Sequence, residues 1–144
     1  VHNCAINAIC AVAGMRSAEV ARLPAASELQ TRVLEEVMDV VAAKGITLTN
    51  ADPIGYIKAH TFLRYNKPSM QQHMEAARPT EIDALNGALV REAKALGISV
   101  PFNEALTMMV KAREWAVAEA ASGIVRDYAA MEADAEKEAA ARAS

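Results

Sequence analysis

Pro68-Ser69-Met70-Gln71-Gln72-His73-Met74-Glu75-Ala76-Ala77-Arg78-Pro79-Thr80-Glu81-Ile82-Asp83-Ala84-Leu85-Asn86-Gly87 is denser in polar groups than a packed core requires, and it lies between apolar helical patterns. Ser69 opens a short helical run. Pro79-Thr80-Glu81-Ile82-Asp83 reads as a helix start, with Thr80 as N-cap and Asp83 three residues later as its acidic partner. Glu81 then falls in the first turn, where unpaired N–H groups and the helix dipole favour negative charge. Taken alone, these acids are expected to cap the helix. The helix continues to Leu96, burying Ile82, Leu85, Leu89 and Leu96 along one face. Helical spacing on both sides of Asn86-Gly87 overrides the hairpin that this dipeptide would otherwise signal. Gly87 would let a neighbouring helix approach closely.

Working outward, Gly97 ends this helix and Pro101 starts another that keeps Leu106, Met109, Val110 and Val117 in register. The methionines there read as adaptable core, and Trp115 as packing at the helix edge. From Glu119 the sequence is Ala/Glu-rich, a solvated helical extension frayed towards Ser144. On the other side, Asp52-Pro53 opens a helix that runs to about Arg64. Ile46 to Asn50 is a loop. Ser27 caps a helix from Glu28 to about Lys44, stopped by Gly45, with Leu29, Val33, Val37, Val40 and Val41 facing the core. A short Ala-rich segment precedes it as far as Pro24, and Val1 to Val12 forms an apolar helix ended by Gly14.

The fold expected is therefore all-α, a single helical domain of about six to eight helices by periodicity. A length of 144 residues suits one core. Net charge is −3 without a basic cluster, which argues against a nucleic-acid footprint. No apolar run reaches the ~18 residues of a membrane span, and the N-terminus lacks the pattern of a signal peptide. Cys4 and Cys10 lie in an apolar run and read as packed thiols of a reducing, cytoplasmic setting. His2, His60 and His73 share no ligand spacing, so no metal site is expected. His60 reads as a surface or half-buried side chain.

Ser69-Met70-Gln71-Gln72, Arg78-Pro79-Thr80-Glu81-Ile82-Asp83, Asn86-Gly87, Gly97-Ile98-Ser99-Val100-Pro101 and Asn103 resemble, in order and spacing, the C-terminal domain of ketopantoate reductases (2-dehydropantoate 2-reductases). Asn3-Cys4-Ala5-Ile6-Asn7 is similar to the start of the same domain, and the resemblance covers roughly residues 1–115. It implies an architecture like the C-terminal domains of 6-phosphogluconate dehydrogenases. It also implies an N-terminal Rossmann domain for NADPH, which this chain does not contain, since its six glycines form no Gly-x-Gly-x-x-Gly. The expected division is a substrate domain over 1–118 and an extension over 119–144.

The implied function is reduction of 2-dehydropantoate to pantoate in coenzyme A biosynthesis, by NADPH bound mainly in the missing domain. This chain alone is expected to be inactive. By resemblance, Asn3 and Asn7 bond the hydroxyl and carboxylate end of the substrate, Ser69 its carboxylate, and Asn66 lines the same cleft. Glu81 is the catalytic candidate, contacting the cofactor side of the cleft near a lysine expected two residues upstream of Val1. Without the resemblance, Asn3 and Asn7 are two amides on one helix face that bond nearby backbone. His73 stands where many relatives carry Asp, which bears on local packing. Ser17 stands where some carry another substrate-facing Asn. The expected partners are a small 2-oxo acid, the Rossmann domain and a possible second copy. Alternatives are a reductase of another 2-oxo acid, or a non-catalytic helical dimerisation or interaction module.

Overall fold

Proline and glycine punctuation sets the helix boundaries in the computed structural model, which describes residues 1–142. Eight α-helices and no strand occur among the described residues. They are α1 (His2–Ala13), α2 (Ser17–Arg22), α3 (Pro24–Ala43), α4 (Pro53–Phe62), α5 (Ser69–Glu75), α6 (Asn86–Leu96), α7 (Pro101–Ala121) and α8 (Tyr128–Arg142). The all-α expectation holds.

Several boundaries are local chemistry. Asp52 accepts the N–H of Gly55 at 2.9 Å with Pro53 at the first helical position of α4. Gly14 closes α1 at φ 69°, a left-handed conformation in which a side chain costs about 1 kcal/mol or more.

α1 is the centre of the molecule, packed against α2, α3, α5 and α7. From Cys4 to Ala11 it is buried on every side, so a period of 3.6 could not have told its inward face. Ile6 and Ile9 each contribute about 1.5–3 kcal/mol of burial here. Val33 and Leu34 of α3, Met70 and Met74 of α5, and Leu106 and Val110 of α7 close around it. A smaller cluster joins Val40, Ala93 and Val100 where α6 leans on α3.

Several expectations are corrected. The helix placed at Ser27 begins at Pro24, because proline's fixed φ suits the first turn and outweighs the serine cap. Ser27 sits inside it, and its carbonyl accepts the Thr31 hydroxyl at 3.0 Å. The short segment before Pro24 is itself helical, as α2.

The helix read from Glu81 to Leu96 is broken. Ile82–Ala84 is a 3₁₀ turn, Leu85 is non-helical (φ −104°, ψ −97°), and α6 starts at Asn86. The break turns the fully buried Asn86 inward, where Nδ2 donates to the Cys4 carbonyl and to Asn103 Oδ1, both at 2.9 Å. Burying an amide without partners costs more than one irregular residue. The close approach at Gly87 comes from that 3₁₀ turn, since a Cβ there would lie 3.0 Å from Asp83 Oδ1 and 3.3 Å from the Ile82 carbonyl.

Met108 and Met109 are surface side chains, 65% and 51% exposed, because Leu106 and Val110 take the inward face of α7. Leu96 is also exposed. Trp115 lies on the surface with the Arg126 guanidinium 4.7 Å from its ring centre. α7 runs through residue 118 and ends at Ala121, and α8 buries no residue. The fraying expected towards Ser144 falls partly outside the described residues.

Both cysteines are free and buried. Burial pushes the Cys4 thiol up and the Cys10 thiol up to about 12. Neither is expected to react with a disulfide reagent at pH ~8 while the chain is folded, and both should react on unfolding, as a timed thiol assay with and without denaturant will check. Stability should fall as pH rises from 9.0 towards 12, because the unfolded Cys10 thiol ionises in that range and the folded one does not.

Candidate active site

The chain returns on itself between Ser69 and Glu81, and this local reversal builds the site. Pro68 is extended (φ −61°, ψ 156°) and directs the chain into α5, placing Ser69 at the first helical position. After Glu75 the helix closes. Ala77 takes φ 52°, a left-handed conformation that costs a residue with a Cβ about 1–2 kcal/mol. The turn is held by the Arg78 N–H donating to the His73 carbonyl at 2.9 Å.

The returning strand of chain is fixed from α7. Glu114 Oε1 accepts the Thr80 N–H at 2.6 Å, and Lys111 pairs with Asp83 at 2.7 Å. Thr80 is not the N-cap expected of it, since Glu81 takes that place before the 3₁₀ turn; the Thr80 hydroxyl accepts the Ile82 N–H at 3.3 Å. Asp83 therefore serves an ion pair with α7 and not the reciprocal cap expected of it.

Ser69 and Glu81, singled out separately in the sequence, meet. Ser69 Oγ donates to Glu81 Oε1 at 2.5 Å, a charge-assisted length. Glu81 Oε2 is screened from solvent and has no hydrogen-bond partner. His73 Nδ1 lies 3.5 Å from it, equally screened and equally without a partner. Sequence reading placed His73 outside the site, although its spacing of four from Ser69 on one helix was the available signal. Beyond this group, Lys67 bonds Glu75 at 2.6 Å and holds its carboxyl below the usual carboxylate range.

The other candidates stand as follows. Asn3 is exposed and Asn7 is 5% exposed, one helical turn apart on α1, which packs against α5. α1 is pinned near its start by Asn86 on the Cys4 carbonyl and at its end by Arg113, whose Nη1 donates to the Val12 carbonyl at 3.0 Å. Asn66 is tied through its backbone. Its carbonyl accepts the Ser17 N–H at 3.2 Å and the Ser17 hydroxyl at 3.3 Å, so the buried Ser17 anchors the approach to Ser69.

A cavity of about 360 Å³ is lined by Met74, Arg78, Pro79, Lys111, Glu114 and Trp115 among others, and by none of the candidate residues. Of the candidates, Asn3, Asn66 and Ser69 are exposed, Glu81 is half-buried and Asn7 is buried. Among the described residues no three His, Cys, Asp or Glu side chains converge as a metal site, and no helix is long and apolar enough to cross a membrane.

An all-helical domain thus draws a serine and a half-satisfied carboxylate together, with α5, which carries the serine, packed on a helix bearing two amides. The chain belongs to the family described as "Ketopantoate reductase PanE/ApbA C terminal", which matches residues 1–114. It is 34% identical over 112 residues to the 2-dehydropantoate 2-reductase of Pyrobaculum aerophilum, covering 78% of this chain and 40% of that protein. The crystal structure of a PanE/ApbA family ketopantoate reductase from Ralstonia eutropha JMP134 superposes with a TM-score of 0.76 at 31% identity, over 81% of this chain and 39% of that one. D-mandelate dehydrogenase in ternary complex with NADH and anilino(oxo)acetate superposes with a TM-score of 0.71 at 27% identity, over the same shares of the two chains. The chain thus spans about 40% of the length of the curated relatives it matches.

Proposed function

We propose that this chain is the substrate-orienting part of an NADPH-dependent reductase that converts 2-dehydropantoate to pantoate. The observation that carries the reading is the Ser69–Glu81 pair, in a chain of this family. The site comprises Asn3, Asn7, Asn66 and Ser69 on the substrate and Glu81 at the cofactor side. Residues 119–144, the expected extension, contribute none of these side chains.

The Glu81 carboxylate, tied through Oε1 to Ser69, fits the nicotinamide end of the cofactor in kind through its remaining lone pairs. It is an acceptor, and a ribose hydroxyl or carboxamide N–H is a donor. Bound NADPH supplies the hydride that adds to the ketone carbon. The chain's own residues orient the 2-oxo acid for that addition. An amide offers a donor and an acceptor without a charge to desolvate, so Asn3 and Asn7 suit a carboxylate and a ketone oxygen together. Orientation of this kind can supply roughly 7 kcal/mol or more of the barrier lowering. The alkoxide that develops needs a proton and positive charge, the task of the lysine expected upstream, whose ammonium Glu81 would hold.

The test is a panel of 2-oxo acids offered to the complete enzyme, with NADPH oxidation followed. Preference for 2-dehydropantoate by at least about tenfold in kcat/KM supports the reading, and no turnover of any 2-oxo acid rejects it. A second reading, a reductase of another 2-oxo acid, is favoured by the likeness to D-mandelate dehydrogenase and is separated by the same panel. Within the complete enzyme, Asn3→Ala should raise KM more than it lowers kcat if the amide holds only the carboxylate, and lower kcat as well if it reaches the oxygen that becomes the alkoxide. Unchanged steady-state kinetics for both Asn3→Ala and Asn7→Ala would leave them as helix-surface amides.

A further inference from the structure

Ser69 and His73 lie four residues apart on α5 and both face Glu81. One carboxylate oxygen takes the serine hydroxyl. The other, Oε2, has no donor, and the nearest nitrogen is His73 Nδ1 at 3.5 Å, itself without a partner. An unpaired carboxylate oxygen out of water is costly, and an imidazole N–H is a donor of the right kind. The separation exceeds an ordinary N–H···O length by a few tenths of an ångström, which a small rotation of either side chain removes.

The neighbouring charged groups of α5 and α7 are engaged elsewhere, and Arg78, on the turn between His73 and Glu81, lines the adjacent cavity without an ion pair to Glu81. Glu75 on α5 is engaged by Lys67 and Gln71. Lys111 of α7 is engaged by Asp83, and Glu114 of α7 by the Thr80 N–H. α1, also packed on α5, carries no Lys, Arg, Asp or Glu.

We infer that His73 is a positioning residue, donating Nδ1–H to Glu81 Oε2 so that serine and imidazole together fix the plane of the carboxylate. Its functional weight rests on the reading of Glu81 as the cofactor-side residue, but the contact itself does not. Held at both oxygens, the carboxylate presents its remaining lone pairs in one direction, which an exposed glutamate would not.

Two measurements test this. In the 144-residue chain, long-range ¹H–¹⁵N spectra at pH ~8, above the ordinary imidazole range, should show His73 protonated at Nδ1. Glu81→Ala should return it to the Nε2–H form that free imidazole prefers. An Nε2–H ring in the unaltered chain overturns the proposal.

In the complete enzyme, His73→Ala should lower kcat about tenfold with KM for the 2-oxo acid within about twofold, since the substrate contacts are untouched. His73→Asn, whose amide N–H stands near the place of Nδ1, should recover most of that loss. A residue that only fills space would be served as well by alanine as by asparagine, and equal turnover for the two variants overturns the proposal. Should the unaltered enzyme reduce no 2-oxo acid, the functional reading fails alone, and the tautomer still decides the His73–Glu81 contact.

Discussion

Glu81→Gln is expected to cut kcat/KM of the complete enzyme at least about tenfold, some 1.4 kcal/mol of transition-state stabilisation, while costing under about 1 kcal/mol of fold stability. The stability cost is small because glutamine keeps an oxygen to accept the Ser69 hydroxyl, and because Glu81 precedes only a 3₁₀ turn, where little dipole accumulates. The kinetic cost is larger because the substitution removes the charge that would hold the lysine, and it puts an NH₂ where an acceptor is needed. Asp83→Asn is the control. It loses an ion pair with Lys111 whose partners are 50% and 64% exposed, worth about 0–1 kcal/mol, and should spare turnover. Steady-state kinetics beside thermal melts separate the two outcomes. Equal, small effects from both substitutions would reduce Glu81 to a turn residue.

The largest stability effect is expected away from the site, at Glu36. This buried glutamate of α3 caps α7 across the core. Oε1 accepts the Phe102 N–H at 2.8 Å, and Oε2 accepts the Asn103 N–H at 2.9 Å and the Asn103 amide at 2.6 Å. Asn103 is fully buried, so its backbone N–H has no water to turn to, while its side-chain amide keeps only the Val33 carbonyl at 3.3 Å. Each stranded donor costs about 1–3 kcal/mol, and Glu36→Ala should therefore lose about 3–5 kcal/mol. In a domain of this size that corresponds to a fall of roughly 10–15 °C in Tm. Glu36→Gln should fall between the two, since one acceptor survives. A loss of only a few degrees for Glu36→Ala would mean that the start of α7 finds another acceptor. The effect should reach α1 as well, because Asn103 Oδ1 holds Asn86, which holds the Cys4 carbonyl.

What could be read before the structure was whatever a few neighbouring residues decide. Gly14, Gly97, Pro101 and Asp52-Pro53 end or start helices through their own backbone chemistry, and all four were placed correctly. Where two local signals competed, as Pro24 did with Ser27, the pattern alone gave no ranking. The break at Leu85 was illegible for a different reason. It answers to Asn86 bonding residues 82 and 17 positions away, and no window of sequence contains them. Glu36 is hidden in the same way, a polar residue on a helix whose partners lie 66 and 67 residues on. In the site, the resemblance brought out Ser69 and Glu81, which the structure joins, but made His73 a packing detail. The exposure of Met109 shows the limit of composition, since apolar character says nothing of which side of α7 faces inward.

The central place of α1 has a consequence for how this chain is made. A ribosome delivers α1 before α2, α3, α5 and α7, which cover it, and the α7 segment that ties down its end, through Arg113 on Val12, follows 101 residues later. At about 5–20 residues per second, the most apolar helix of the domain waits roughly 5–20 s for the last helix of its cover. Contacts that span so much of the chain also form slowly once all the residues are present. Nascent chains of this domain should therefore depend on chaperones that shield apolar segments, and heterologous yield should respond to slower translation more than to stabilising the finished fold.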